Sequence, residues 1–434
     1  MTRDEHVTST AARPHIDRIG ILLLLVGLAV HWLVLFSLPT GKLNPLFHDA
    51  ARSPGHGLDF YSIYQSGHNV LNKMSAYYGV REHRYGSQHQ VVPYFSGFRY
   101  LPVYAYTYGV FLNVLPPQQS YWMWIVMVEG LLIACIALTF RLTRHSGKPY
   151  RYIAIWLLYS PYYIELYIGQ QSFVTALLIF IMGWAVIRGR PGAFNVSYAA
   201  SAVWKLNTLL FAPLLVRLKR FSTLAAIAAI MILTSVPYFV IDPTGFTEFV
   251  SYFGHKFIAD GPNSHGLWAF GAMLWKRLSS DTTHLRLTLQ LASLTIIGLS
   301  IIVTFLNRAA DTIDLLALWV LTYFLSYQYV WEHHYVMLLP VLVLLLIRHG
   351  NWFSWTLTLL LCLPTPFVLL DVPGMNFPQE HWSLAEAVWL HLSKLGPCIA
   401  LWLWLVGREL VRAVTNRDLW LVAEWRQFRL KESR

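Results

Sequence analysis

Trp331-Glu332-His333-His334-Tyr335 sets an acid and two imidazoles between two strongly apolar runs, Leu315 to Val330 and Val336 to Ile347. Ionisable residues in such surroundings are costly and mark a site by default. Adjacent histidines on a helix point about 100° apart, so they cannot chelate one metal as an i, i+4 pair does, and the zinc-protease order His-Glu-x-x-His is absent. Imidazole can donate hydrogen bonds to a phosphate or a sugar, with Glu332 orienting one ring. The alternative is a solvated hairpin tip. Asp59 is the second candidate. A carboxylate at a helix start can take the proton of an acceptor hydroxyl, or it can cap the helix. Gly169-Gln170-Gln171-Ser172 is a polar tip between Tyr152–Ile168 and Phe173–Ile187. Its amides suit sugar hydroxyls and suit a plain turn as well. Lys205, Lys256 and Arg99 are cations able to neutralise a phosphate. Glu129, inside Tyr121 to Phe140, is a buried acid that needs a partner and reads as structural. Many aromatics, among them Tyr64, Tyr77, Tyr78, Tyr85, Tyr327, Tyr329 and Trp331, can form an interfacial belt or stack on sugar rings.

The elements that must position these groups are membrane helices. The chain is 56% hydrophobic and only 13% charged, with mean hydropathy +0.46. A soluble domain carries roughly twice that charged fraction. Apolar runs near the ~20 residues needed to cross a bilayer recur throughout. The formal charge of +11 sits largely in short loops and the C-terminal tail, as the positive-inside rule expects, and no block reads as a nucleic-acid patch. Cys135, Cys362 and Cys398 all lie in apolar runs, with neither a disulfide framework nor Cys-x-x-Cys spacing. No metal or cofactor site is expected.

Placing the clusters Arg141/Arg144/Lys148/Arg151, Arg188/Arg190, Arg217/Lys219/Arg220, Arg308, Arg348 and Arg408/Arg412/Arg417 in the cytoplasm leaves Asp242, Glu248, Asp260, Asp371 and Glu380 outside. About twelve spans and two cytoplasmic termini satisfy this pattern. The expected organisation is an N-terminal tail at 1–18, a membrane domain at 19–406 and an amphipathic cytoplasmic tail at 407–434. The run Ile19 to Leu38 reads as a retained first span rather than a signal peptide. The first outer loop, 39–100, is the largest polar segment and includes His48-Asp49. Within it, Phe60 to Tyr78 has apolar residues at near-helical spacing and predicts a helix lying on the outer membrane surface. Leu101 to Leu115 is short, and reads as re-entrant or interfacial. Ala193 to Val216 lies between two basic clusters, so it must enter and return. Broken helices are tolerated where they face protein or a water-filled cavity, which places Lys205 at the head of a cavity opening outward.

With these residues in view, the chain resembles glycosyltransferase family 87, integral membrane enzymes of the GT-C architecture, from about Ile19 to about Val406. The most specific likeness is Tyr329-Val330-Trp331-Glu332-His333-His334-Tyr335, similar to the family's Ser-Trp-Glu-His-His-Tyr segment. Asp59-Phe60, with Tyr64, Leu71 and Tyr77-Tyr78 after it, resembles the acidic first-loop motif. Gly169-Gln170 resembles a Gly-Gln that opens a span. Two departures stand out: Tyr100-Leu101-Pro102 where the family often has Tyr-Pro-Pro, and Lys205-Leu206 where it often has Lys-Pro.

The resemblance implies an all-α, polytopic fold in a bacterial plasma membrane. It implies transfer of a sugar, mannose or arabinose, from a polyprenyl-monophosphate donor to a glycolipid or polysaccharide acceptor on the outer face, with inversion and without a nucleotide sugar. On that reading Asp59 is the general base. His333, His334, Glu332, Lys205, Gln170, Trp331, Tyr64 and Arg99 bind donor or acceptor. The rival class is a transporter or flippase for lipid-linked sugars, which the span count and broken helix also fit. Against it, no half-and-half repeat is visible in the sequence. An intramembrane metalloprotease lacks its ligand spacing.

Overall fold

A helix that is apolar on every side needs a non-aqueous neighbour on every side, and this requirement arranges the molecule in layers. The computed structural model describes residues 17–42, 54–77, 89–253, 264–279, 281, 283–307, 309–365 and 383–416. Lys256, Tyr78, Tyr85, His48-Asp49, Arg308, Arg417, Asp260, Asp371, Glu380 and the tail from Leu419 onward lie outside the described residues. The helices in chain order are α1 (Arg18–Ser37), α2 (Leu58–Leu71), α3 (Pro117–Thr143), α4 (Pro149–Leu158), α5 (Ser160–Ile168), α6 (Ser172–Ile187), α7 (Pro191–Trp204), α8 (Ala212–Arg217), α9 (Phe221–Ile241), α10 (Pro243–Phe253), α11 (Leu267–Leu278), α12 (Leu285–Leu306), α13 (Thr312–Ser326), α14 (Leu339–Arg348), α15 (Trp352–Cys362) and α16 (Leu384–Asn416). Short 3₁₀ helices at Leu206–Phe211 and Glu332–Leu338 interrupt the series.

The inner layer is made of short helices without an exposed face. Every residue of α5 is buried, as are Ile313–Leu325 of α13 and Leu339–Leu346 of α14. Around them α1, α9 and α12 turn apolar side chains outward, with Leu233 72% and Ile241 85% exposed. Such a surface is a liability in water and the required face in lipid. Among the described residues, five helical stretches, including α3, α9 and α12, are long and apolar enough to cross a membrane, and four shorter apolar helices accompany them. The protein is an all-α, multi-pass membrane protein. The apolar run Tyr152–Ile168 is divided at Tyr159, which is extended (φ −80°, ψ 102°); Pro161, in the first turn of α5, has no N–H with which to continue the helix back to the Leu157 carbonyl.

The helix of the first loop departs from expectation. It ends at Leu71, and Phe60 through Gly67 and Asn69 are all buried, so it is packed inside the protein rather than laid on a surface. The helical segment 102–112, which carries a π-turn at Ala105–Gly109, presses on one side. A Cβ on Gly67 would lie 2.0 Å from the Gly109 carbonyl carbon, so only glycine permits the approach. Residues 89–98 cover another side. Gln65 Nε2 donates to the His89 carbonyl at 2.9 Å, and its Oε1 accepts from Val91 N at 3.0 Å. The polar face is therefore satisfied by protein instead of water, which apolar spacing alone cannot reveal.

One end of the molecule collects the described residues of the basic clusters. Arg151 pairs with Asp17 at 2.7 Å, Arg348 with Asp311 at 2.6 Å and Arg408 with Asp314 at 2.7 Å. Arg217 donates to the Thr304 and Asn307 carbonyls, the unsatisfied acceptors at the C-terminus of α12. Glu129 finds its partners midway along α3: Tyr162 donates to it at 2.8 Å and His31 Nε2 lies 3.2 Å away.

Candidate active site

At the opposite end, a cavity of about 490 Å³ opens between α2, residues 96–101, the Gly169-Gln170 turn, the break at Lys205, and residues 323–334. Its size is that of a small-ligand site. Leu58, Leu101, Ile168, Val203 and Leu206 supply apolar wall, and Tyr100, Trp204, Tyr323, Tyr327, Tyr329 and Trp331 supply aromatic wall. Into it project Asp59, Arg99, Gln170, Lys205, His333 and His334. The cavity thus brings together seven of the nine residues to which the resemblance gives a catalytic or binding role, Trp331 included.

Asp59 does not cap its helix. The N-cap is Gly57, which has no side chain to offer, and Asp59 lies one residue inside α2. Its carboxylate is instead held from two directions. Ser96 Oγ donates to Oδ1 at 2.5 Å and Gln170 Nε2 donates to Oδ2 at 3.0 Å. Gln170 is itself locked, because its Oε1 accepts from Tyr100 OH at 2.6 Å and from Gln171 N at 2.7 Å. An amide whose oxygen is occupied twice must present its NH₂ on the other side, toward Asp59. Gln170 therefore orients the carboxylate as well as lining the cavity.

The turn that carries Gln170 follows from the end of α5. Gly169 N donates to the Leu166 carbonyl and Gln170 N to the Glu165 carbonyl, a Schellman closure that needs a left-handed residue, and Gly169 has φ +69°. Glycine is required there for a second reason: a Cβ would sit 2.4 Å from the Cβ of Phe60. This contact brings the start of α2 against the turn and Asp59 against Gln170.

Lys205 sits in the break between α7 and the returning 3₁₀ helix, with extended backbone (φ −146°, ψ 108°). Tyr198 OH donates to the Thr208 carbonyl at 3.1 Å, so the chain enters, turns at Lys205 and returns alongside itself. The ammonium donates to Ser172 Oγ at 2.5 Å, at the first turn of α6. Trp204 Nε1 donates to the Gln171 carbonyl at 3.2 Å and ties the break to the same turn.

The Glu-His-His segment divides its residues between two environments. In a 3₁₀ helix residues i and i+3 eclipse, so Glu332 and Tyr335 share one face while His333 and His334 take others. The two rings line the cavity and pack edge to face with centroids 4.4 Å apart. His334 is also held by its own turn, with Nδ1 accepting from Trp331 N at 3.4 Å. Glu332 is a correction to the sequence reading. It neither pairs with His333 or His334 nor lines the cavity. It is fully buried behind the segment, accepting from Thr365 N at 3.2 Å, with Lys394 Nζ at 3.7 Å and His265 Nε2 at 3.8 Å. Lys394 also donates to the Leu361 carbonyl at 3.0 Å, near the C-terminal end of α15. Removing one partner of a buried pair strands the other charge, so Lys394→Met is expected to destabilise the fold by roughly 3–5 kcal/mol, read as a lowered melting temperature in detergent. Tyr64 is the second correction. Its hydroxyl donates to the Leu115 carbonyl at 2.9 Å, and it packs α2 against the chain following segment 102–112 rather than facing a ligand.

Ser96 and Tyr100 belong to the site and carried little sequence signal. Ser96 is a loop serine, and Tyr100 stood out only beside Leu101-Pro102. Asn207, Trp204 and Tyr323 also line the cavity and were not singled out. Among the described residues no group of three His, Cys, Asp or Glu side chains is arranged to hold a metal ion. The three cysteines are buried and unbridged.

Residues 98–327 match the family model of glycosyltransferase family 87. No curated protein matches the chain. The matched stretch holds Arg99, Tyr100, Gln170 and Lys205; Asp59 and the Trp331–Tyr335 segment lie to either side of it. With more than half of its length matched, the chain belongs to glycosyltransferase family 87, and it is a multi-pass membrane glycosyltransferase.

Proposed function

We propose that the protein transfers a sugar, mannose or arabinose, from a polyprenyl-monophosphate donor to a hydroxyl of a glycolipid or polysaccharide. The observation that carries this reading is one cavity in which a carboxylate held by two donors, Asp59, faces Lys205, Arg99 and His333. Transfer needs a base on one side of the anomeric carbon and positive charge on the other. Asp59 accepts the acceptor hydroxyl's proton as that oxygen bonds to the anomeric carbon. The bond from that carbon to the phosphate oxygen breaks, and the electron pair leaves with the lipid phosphate. A single displacement inverts the anomeric centre. Lys205 and Arg99, with the His333 ring, meet the charge that grows on the departing phosphate. His334 supports His333 by packing on it, and Trp204, Tyr100 and Trp331 offer faces for the sugar ring.

The same reading sets the topology. On this reading the chain makes about twelve crossings with both termini and the basic clusters in the cytoplasm, and the cavity faces outward from a bacterial plasma membrane. A donor whose tail stays in the bilayer suits a site walled by membrane helices.

The test is to incubate membranes containing the protein with radiolabelled polyprenyl-phosphate mannose and, in parallel, polyprenyl-phosphate arabinose. One of the two is expected to label a glycolipid or polysaccharide through a new glycosidic bond. Label that crosses the bilayer while still on its donor, with no bond formed, would make the protein a carrier of the lipid and sink the proposal.

A further inference from the structure

Glu165, in α5, has no solvent exposure, and nothing in the transfer steps above uses it. It touches both halves of the site. Its main-chain carbonyl accepts from Gln170 N at 3.1 Å, and Gln170 holds Asp59. Its Oε1 accepts from Phe173 N at 2.7 Å, next to Ser172, whose hydroxyl accepts from Lys205. Its other oxygen is buried with no hydrogen-bond partner.

A residue that only capped α6 would serve as well as a neutral amide. A buried carboxylate is expensive unless an opposite charge lies near. Lys205 is placed to be that charge: its ammonium donates to Ser172 Oγ, and the next residue, Phe173, donates its N–H to Glu165 Oε1. The other groups facing Lys205 are Asp59 from α2 and His334 from the 332–338 turn, with Arg99 on the same wall. Asp59 is already engaged by Ser96 and Gln170.

We infer that Glu165 is a positioning residue for Lys205: anchored on the first turn of α6, its carboxylate supplies the countercharge that holds the Lys205 ammonium at the cavity wall until the donor phosphate arrives. This rests on reading the cavity as a lipid-phosphate-sugar site. A fixed ammonium meets the phosphate without having to be recruited from water, which is how a preorganised site lowers the cost of reaction.

The test is a cycle of Glu165→Gln, Lys205→Met and the double variant in nanodiscs. The probe is undecaprenyl monophosphate, with binding read from the thermal shift at neutral and alkaline pH. Glutamine keeps an oxygen for Phe173 N, and unliganded melting verifies the fold. Wild type is expected to be stabilised by the lipid. Glu165→Gln should bind it more weakly as pH rises, by roughly tenfold on the alkaline side, because an ammonium without its carboxylate neighbour loses its proton more readily. In the Lys205→Met background, Glu165→Gln should add no further loss. A loss that is the same with and without Lys205, or a pH course identical to wild type, overturns the role of Glu165 and leaves the donor reading standing. No stabilisation of wild type overturns the donor reading itself, and this inference with it. If Glu165→Gln alone fails to fold, recovery of folding in the double variant supports the pairing, and failure of both overturns it.

Discussion

Asp59→Asn is expected to lower the rate of sugar transfer by roughly 10²–10⁴-fold, the usual contribution of a positioned general base. The side chain keeps its shape and loses its capacity to take a proton. The surroundings predict a second, smaller effect. Ser96 donates to one oxygen and Gln170 to the other, and Gln170 cannot turn over because Tyr100 and Gln171 N both donate to its Oε1. The Asn amide can turn its oxygen to Gln170 Nε2 and its NH₂ to Ser96, whose hydroxyl accepts once it rotates, so both bonds persist but without the carboxylate's charge. Exchanging two charge-assisted hydrogen bonds for neutral ones costs about 1–2 kcal/mol, so the variant melts slightly lower but remains folded. Initial rates with a lipid-phosphate sugar, measured beside thermal unfolding, separate the two effects. Near-normal transfer by a folded variant would remove Asp59 from the role of base.

The second large effect is expected from a residue that touches no substrate. Gly169→Ala places a methyl group where the Phe60 Cβ already stands, 2.4 Å away, and does so on a backbone at φ +69°. The left-handed conformation costs roughly 1–2 kcal/mol for an L-residue. The overlap is with the first carbon of a side chain on a packed helix, so it is relieved only by moving α2 or the turn. Either motion separates Asp59 from Gln170. A misplacement of about 1 Å at a catalytic group can cost on the order of 10²-fold. The variant is therefore expected to lose about that much activity, with a melting temperature lowered by less than Lys394→Met produces. Activity equal to wild type would mean that the contact between Gly169 and Phe60 does not set the position of the carboxylate.

These predictions depend on contacts of different visibility. The break at Lys205 was legible because a cation between two basic clusters, in a run too short for two crossings, has few places to go, and the chain does turn there. The partnerships of Asp59 were not legible. Ser96 and Gln170 are 37 and 111 residues away in sequence, and neither has a spacing that announces it. The helix of α2 was legible as a helix, since apolar residues recur at the right interval. Its burial was not, because Gln65, Ser66 and Asn69 look like a solvent face until segments 89–98 and 102–112 are laid over them. For Glu332, sequence proximity misled: its neighbours His333 and His334 line the cavity while it faces Lys394 and His265.

Composition and the order of apolar runs by themselves determined that this is a helical membrane protein, because a bilayer accepts few charges and demands internally satisfied backbone. The residue types determined which groups can do acid–base or phosphate chemistry, because those capacities belong to the side chain. The tertiary structure alone decided which of them act together. A side chain's direction depends on local twist, and the tight 3₁₀ turn sends Glu332 inward and the histidines to the cavity. A carboxylate is aimed by whatever donors the fold carries to it, and here a glycine without a Cβ lets the turn bearing Gln170 close on α2.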